Sequence, residues 1–369
     1  MIRRKHYFWC FPLNNKRKEM KNLIQSLLLI LVFMVSAFAV TAGNPDRQGE
    51  AGASELLLNP WARSAGIHSM STASVSGVEA MRINVAGLGR INSGEFMLAN
   101  TRLYEGSTLG MNTLGFATKV GESSAFGVTL TAMDFGDIQI TTEEQPEGTG
   151  GTYSPSFFQI GLGYAYTYEN KISVGMLVRG ITESLPSSSA FGIAIDAGVQ
   201  YVSGAKDNFK LGISLRNTGS SMEFGGEGLS FQTTAPDDNG NPYTLTVESR
   251  SEDFELPSML NIGLSYDFYI GEENFVRAIG NFTSNAFSTD QMGVGAEFYF
   301  KDLVILRGGY KYDLDVAEGQ KNLYSGVAAG VSLMIPTKKD SDRKFVIDYA
   351  YRTTNPFDGT HNLTLGLAF

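Results

Sequence analysis

The chain has 369 residues, with 29 Lys and Arg against 38 Asp and Glu, a formal net charge of −9. That acidic balance argues against nucleic-acid binding, because phosphate recognition needs a basic surface. The single cysteine, Cys10, lies upstream of an apolar leader, so the exported part has no thiol for a disulfide or a Cys-ligated metal.

The leader comes first. Lys16, Arg17, Lys18 and Lys21 precede an apolar stretch over 23–40, which ends among the small residues Ala37, Ala39 and Ala42. A basic start, an apolar middle and a small-residue exit describe a secretory signal peptide, cleaved near Ala39 or Ala42. Met20 fits as the true start, with 1–19 as an upstream extension. A retained anchor is the competing reading, but no basic stop-transfer cluster follows. Residues 1–42 hold 7 of the basic and 1 of the acidic residues, which leaves 22 and 37 and a net of −15. No long unbroken apolar stretch follows, so spanning helices are not expected.

Residues 43–93 do not alternate cleanly. A Leu-rich start gives way to a run of small residues over 69–80, suited to lie against a barrel wall or plug its mouth. From there to the end the side-chain period is two. Alternating segments lie near 94–103, 111–120, 124–135, 156–168, 171–182, 190–202, 208–217, 257–269, 274–284, 290–300, 302–313, 323–335, 343–353 and 361–369. Ile160, Leu162, Tyr164, Tyr166 and Tyr168, for instance, alternate with Gly161, Gly163, Ala165 and Thr167. Helical spacing does not fit, and side chains on a strand point to opposite faces in turn.

Connection lengths sort these strands. Short junctions at 121–123, 169–170, 203–207, 270–273 and 301, with a longer but compact one at 336–342, alternate with longer ones. The longest are 136–155 and 218–256. Short periplasmic turns, long outer loops and an even strand count match an exported barrel with both ends on the periplasmic side. Segments of this length also suit tilted membrane strands. The expected architecture is all-β: a 14-stranded antiparallel transmembrane β-barrel over 94–369, preceded by a hatch segment over 43–93. A soluble β-sandwich does not account for so many sequential hairpins with one face so aromatic.

The last strand carries the pattern to its end. Leu363, Leu365, Leu367 and Phe369 share one face, with Asn362, Thr364, Gly366 and Ala368 on the other. A greasy final strand without a covering tail reads as the closing strand of a barrel in lipid. Aromatics gather at segment ends, as at 298–300 and at Tyr349 and Tyr351, where rings with polar tips settle at a membrane boundary. The other face is crowded with Gly, Ala and Ser. Arg179, Asp196, Lys210, Arg216, Asp267, Glu297, Arg307, Asp348 and Arg352 are its candidate interior charges. Their mixed signs predict a partly plugged lumen cross-linked by ion pairs, not a wide pore.

Two short stretches carry a family resemblance. Pro60, Ala62, Arg63, Ala65 and Gly66, then Asn84, Ala86, Gly87 and Leu88, resemble the N-terminal signature of the PorV/PorQ family of Bacteroidetes outer-membrane proteins. Val85 stands where that family usually has Pro. The C-terminal stretch over 345–369 is similar to the family's ending. The resemblance implies a FadL-like barrel of fourteen strands with an N-terminal hatch and a link to type IX secretion. It also implies partners: the translocon, or secreted cargo received at the outer membrane.

Catalytic and metal chemistry find little support. His68 and His361 are the two histidines beyond the leader, without a second histidine at ligand spacing. His361 with Asn362 and a distant Ser could imitate a hydrolase set, but a lone His at a strand's outer end is better read as interfacial. The turn over 237–241 is carboxylate-rich but lacks EF-hand spacing. No catalytic residue, metal or cofactor is therefore expected. The acidic outer loop 218–256 interleaves Met222, Phe224, Phe231 and Tyr243 among its carboxylates, which suits a partner-docking surface or a loop facing anionic lipopolysaccharide. Two functions fit: docking of secreted or translocon proteins, and, as the alternative, a FadL-like passive channel for hydrophobic small molecules gated by the hatch.

Overall fold

The computed structural model describes residues 44–235, 243–301, 303–314, 323–337, 343–355 and 357–369. The leader over 1–42 and the acidic turn over 237–241 lie outside the described residues. Alternating side chains build the strands β1 (Gly94–Arg102), β2 (Gly110–Val120), β3 (Ser124–Asp134), β6 (Ser156–Tyr168), β7 (Ile172–Leu185), β8 (Ser188–Ser203) and β9 (Phe209–Gly219). They continue with β12 (Met259–Ile270), β13 (Asn274–Asn285), β14 (Gln291–Phe300), β15 (Val304–Asp313), β16 (Gly326–Pro336), β17 (Lys344–Arg352) and β18 (Thr360–Ala368). Each pairs antiparallel with its neighbours and β18 pairs with β1, so the fourteen close into one barrel. Closure removes every sheet edge, which is what lets strands cross hydrocarbon with their backbone satisfied.

The segments expected from the period of two coincide with these strands to within a few residues. Two further ribbons, β4 (Ile138–Gln139) with β5 (Thr152–Tyr153) and β10 (Ser230–Ala235) with β11 (Tyr243–Glu248), stand in the two longest outer loops. At the other rim the turns are tight. Glu169 and Asn170 are both left-handed, at φ 46° and 56°, and Lys171 N donates to Tyr168 O at 3.0 Å. That backbone turn matches the right-handed twist of the flanking strands.

The outward face is apolar around the ring. In β6, Phe158, Ile160, Leu162, Tyr164, Tyr166 and Tyr168 are all exposed while the residues between them are buried. A soluble surface does not carry an uninterrupted apolar belt of this kind; lipid accepts it. The seam follows the same rule. Leu365 stands opposite Leu98 on one side and Ile347 on the other. Leu363, Leu365 and Phe369 are exposed and Leu367 half-buried on that face. Phe369 and Gly94 exchange backbone hydrogen bonds of 2.8 and 2.9 Å, tying the last residue to the first strand.

Residues 44–93 fill the lumen with isolated turns: 3-10 turns at Pro45–Arg47, Ser54–Leu57 and Val85–Arg90, and helical turns at Ala62–Ala65 and Ala80–Ile83. The segment runs the length of the lumen. Its start is held at the outer rim, where Arg47 pairs with Glu255 at 2.8 Å and Gly52 N donates to Glu255 O at 3.1 Å. Its end is held at the inner rim, where Arg90 donates to Lys171 O at 3.0 Å. The chain thus threads the barrel from outer mouth to inner mouth before β1 begins.

The closing face gives a direct test of the lipid assignment. Leu365→Arg sits mid-strand on that face and should destabilise the barrel by about 2–4 kcal/mol. Denaturant unfolding in lipid vesicles measures it. An unchanged midpoint would mean the face does not meet hydrocarbon.

Candidate functional site

The hatch is seated by bare backbone on the wall. A Cβ at Gly175 would lie 2.7 Å from Val85, and one at Gly212 would fall on the Thr72 carbonyl. Gly66 of the hatch faces Gly330 of β16, and a Cβ on Gly66 would come within 2.9 Å of Arg307. The glycines of the inward face are therefore the surface on which the hatch lies.

Wall side chains then satisfy hatch backbone. Asn362 Nδ2 donates to Asn59 O at 3.0 Å, to Pro60 O at 3.1 Å and to Thr101 Oγ1 at 2.7 Å. Ala62 N donates to Thr364 Oγ1 at 3.0 Å, and Ala62 packs with Ala65 against Ala350. Asn84 caps the Val85–Arg90 turn: its Oδ1 accepts from Ala86 N at 3.2 Å while its Nδ2 donates to Thr72 O at 2.9 Å and Val199 O at 3.1 Å. That cap holds the turn that begins at Val85. Gly87 O accepts from Gly77 N at 3.3 Å, and Leu88 is fully buried in the inner cluster with Met81 and Trp61.

A ladder of charges crosses the lumen. Asp267, Arg277, Glu297 and Arg307 stand directly opposite one another on β12, β13, β14 and β15. Arg277 pairs with Asp267 at 2.6 Å and with Glu297 at 3.3 Å, and Arg307 with Glu297 at 3.1 Å. Lys210 closes one end on Asp267. At the other end Arg307 donates to Ser332 Oγ at 2.7 Å, Ser332 donates to Asp348, and Arg63 of the hatch reaches Asp348 at 3.5 Å and Glu79 at 3.9 Å. Alternating signs at cross-strand distance are what make such a buried array tolerable. Tyr299, grouped above with the boundary aromatics, instead points inward: it accepts from Arg277 at 2.9 Å and donates to Glu297 at 3.2 Å.

A second cluster fills a bulge where β8 and β9 lose register between Ile195 and Ala197. Asp196 pairs with Arg179 at 2.5 Å and accepts the Asn217 N–H at 2.7 Å, a group the interrupted ladder leaves unpaired.

Two cavities approach the hatch from opposite sides. The outer one, about 400 Å³, has a floor that includes Leu57, Leu58, His68 and Ser69. The inner one, about 330 Å³, touches Arg63, Ile67, Ser71 and Glu79 of the hatch and Arg277 and Glu297 of the ladder. The short segment 67–71 therefore separates them. His68 and Ser69 are both left-handed, at φ 50° and 62°, a costly conformation for residues with a Cβ. The side-chain atoms Nε2 of His68 and Oγ of Ser71 are buried without a hydrogen-bond partner.

The other sequence-derived residues sort as follows. Met222 is buried against Gly192 and pairs backbone with Phe254, and Phe224 packs on Phe254 at 5.9 Å; both anchor the outer loop to the barrel. Phe231 and Tyr243 are exposed on the β10–β11 ribbon, where register places them on one face with Leu245 and Val247. His361 accepts or donates to Tyr349 Oη at 2.8 Å on the outward face, whereas Asn362 points into the lumen; the two cannot act on one substrate. Sequence reasoning did not single out Arg277, Lys311 or Asn59, and it read Tyr299 as a boundary aromatic. Parity along β15 from Arg307 would have turned Lys311 inward, and register would have put Arg277 between two carboxylates.

No family model matches the chain and no curated protein matches it. Solved structures share its fold. The monoaromatic hydrocarbon channel CymD superimposes with a TM-score of 0.53 at 15% identity, covering 84% of this chain and 97% of that one. The toluene transporter TodX of Pseudomonas putida gives 0.51 at 14%, covering 82% and 96%. A FadL homologue of Pseudomonas aeruginosa gives 0.50 at 11%, covering 83% and 97%. The fold is a FadL-like outer-membrane β-barrel.

Arg63 joins hatch and ladder, and removing it strands Asp348 and Glu79. Arg63→Met should lower stability by about 3–5 kcal/mol, the cost of an uncompensated buried charge. Trypsin should then cleave at Arg82 or Arg90, which the native packing shields. Retained protease resistance would show that the ion pairs do not hold the hatch.

Proposed function

We propose that this protein is a passive outer-membrane channel for small apolar molecules, with residues 44–93 as its gate. The observation that carries this is the pair of cavities meeting at the thin segment 67–71. Solute entering the outer cavity is one short loop away from the inner one. The left-handed backbone at His68 and Ser69 stores energy that rearrangement of that loop would release. The FadL-type folds above include proteins named for channelling aromatic hydrocarbons, which is in keeping with this function. In this proposal the apolar belt sits in outer-membrane lipid, with lipopolysaccharide against its outer half. Cells carrying the protein should take up a neutral aromatic tracer faster than cells without it, and deleting 44–60 should change that rate. Equal uptake with and without the protein would exclude a channel.

A second function is favoured by one observation, the free-standing β10–β11 ribbon. Its apolar face is exposed and its edges are unpaired, an arrangement suited to receiving another polypeptide. This fits docking of secreted cargo or a type IX translocon partner, as the PorV/PorQ resemblance implies. Replacing 230–248 by a Gly-Ser linker should abolish recovery of such partners in mild detergent while the barrel still inserts. Recovery undiminished by the replacement, or no partner from the intact protein, would remove this function.

A further inference from the structure

The outer cavity is lined by three cations, Arg216, Lys311 and Arg352. They come from β9, β15 and β17. Arg216 is 7% and Arg352 2% exposed. Among the described residues neither has a carboxylate within ion-pair distance, and Asp196, which lies near Arg216, is held by Arg179. Arg216 donates to Met259 Sδ at 3.6 Å, a weak acceptor, and its Nε has no partner. Arg352 lies over the Tyr324 ring at 4.3 Å and donates to Asn59 O at 3.2 Å, yet its Nε is also unpartnered. Lys311 donates to Gln291 Oε1 at 3.4 Å, with Asp313 two residues along the same face. Among the described residues the one carboxylate of the lining is Glu55, which forms no ion pair with these three cations.

His68 lies in the floor of the same cavity. Buried cations without counter-charges are costly unless something pairs with them. The same lining holds the apolar and aromatic side chains Tyr104, Leu109, Met133 and Phe135. The closed hatch ends the space below, so an occupant must be compact.

The geometry points to a compact aromatic acid as the solute, its carboxylate between Arg216, Lys311 and Arg352 and its ring against Tyr104 and Phe135. This rests on the channel function proposed above and names the solute class for the same site. A neutral hydrocarbon would leave the cations unpaired, and a carboxylate supplies charge-assisted hydrogen bonds to them.

The test is calorimetric titration of the full-length processed protein in nanodiscs, with empty nanodiscs subtracted. 3-Phenylpropanoate should bind about tenfold more tightly than its neutral amide, the scale of one hydrogen bond to a charged group. Hexanoate, an acid of similar hydrophobicity without a ring, should bind more weakly than phenylpropanoate. Arg216→Gln and Arg352→Gln should each shrink the preference for acid over amide several-fold, with heat-modifiable gel mobility confirming a folded barrel. The acid–amide comparison on the unaltered protein decides the matter even if a variant misfolds. Equal binding of acid and amide would overturn the anion site and leave a channel for neutral solutes. Hexanoate binding as well as phenylpropanoate would overturn the aromatic preference. Failure of every probe to bind, together with no tracer uptake, would overturn the site and the channel alike.

Discussion

The fold depends on satisfying an irregular backbone inside a closed wall. Residues 44–93 form only single turns, so many of their carbonyls and amides find no partner within the segment. Burial without partners would cost more than packing returns. The wall supplies partners at several of these positions. Asn362 and Arg352 serve the Asn59 carbonyl, Gln200 the Thr72 and Val75 carbonyls, Ser214 the Ile83 carbonyl and Thr167 the Gly89 carbonyl. Arg82, itself in the hatch, gathers the carbonyls of Glu55, Leu56 and Leu58. The polar inward residues and the inward glycines thus have one purpose between them: glycine admits the hatch backbone to contact distance, and Asn, Gln, Ser and Thr bond to it there.

This explains what could be read from the sequence and what could not. The strands were legible because lipid imposes a period of two on one face, as in β6, where every second residue is exposed and large. The hatch imposes no period. Its contacts are with residues more than a hundred positions away, as between Asn59 and Asn362, and no local pattern announces them. Arg277 was missed because β13 is mixed on both faces: Ile279 is buried on the inward side beside the arginine, so alternation there does not separate lumen from lipid. Tyr299 was missed because a Tyr at a strand end suits a membrane boundary equally well; only its parity with Glu297 turns it inward. The two outer ribbons are short and solvated on both faces, and solvent enforces no alternation. His361 and Asn362, neighbours in sequence, could look like a reactive pair only until the pleat put them on opposite sides of the wall.

The electrostatics of the lumen are uneven along its axis. On the inner side the ladder from Lys210 to Arg63 alternates in sign and is internally paired. On the outer side, among the described residues, Arg216, Lys311 and Arg352 are not matched in this way. A plugged barrel needs no unpaired cation for stability, since replacing a buried charge by an apolar residue of similar volume is commonly neutral or stabilising. The paired inner half is thus accounted for by hatch anchorage, and the unpaired outer half is not. That asymmetry is why the outer cavity, and not the larger polar network, is the place to look for a ligand.

The two proposed functions are physically connected through the start of the hatch. Arg47 and Gly52 are bonded to Glu255, and Phe254 beside it pairs with Met222 at the root of the loop that carries the ribbon. The contacts at Arg47 are exposed and worth little individually. The backbone bridge and the buried Met222 are firmer. A polypeptide drawing on the ribbon would load the outer end of the hatch, whereas a solute in the outer cavity would press on its floor at His68. Both act on the same short segment between the cavities, from different ends. A ligand can shift a conformational equilibrium only by its differential affinity for the two states. The site that grips the open hatch differently from the closed one is therefore the site that controls it. In the proposed channel the cavity floor meets that condition directly, because His68 and Ser69 belong both to the cavity lining and to the segment between the cavities; the ribbon meets it only at a distance, through the contacts at Glu255.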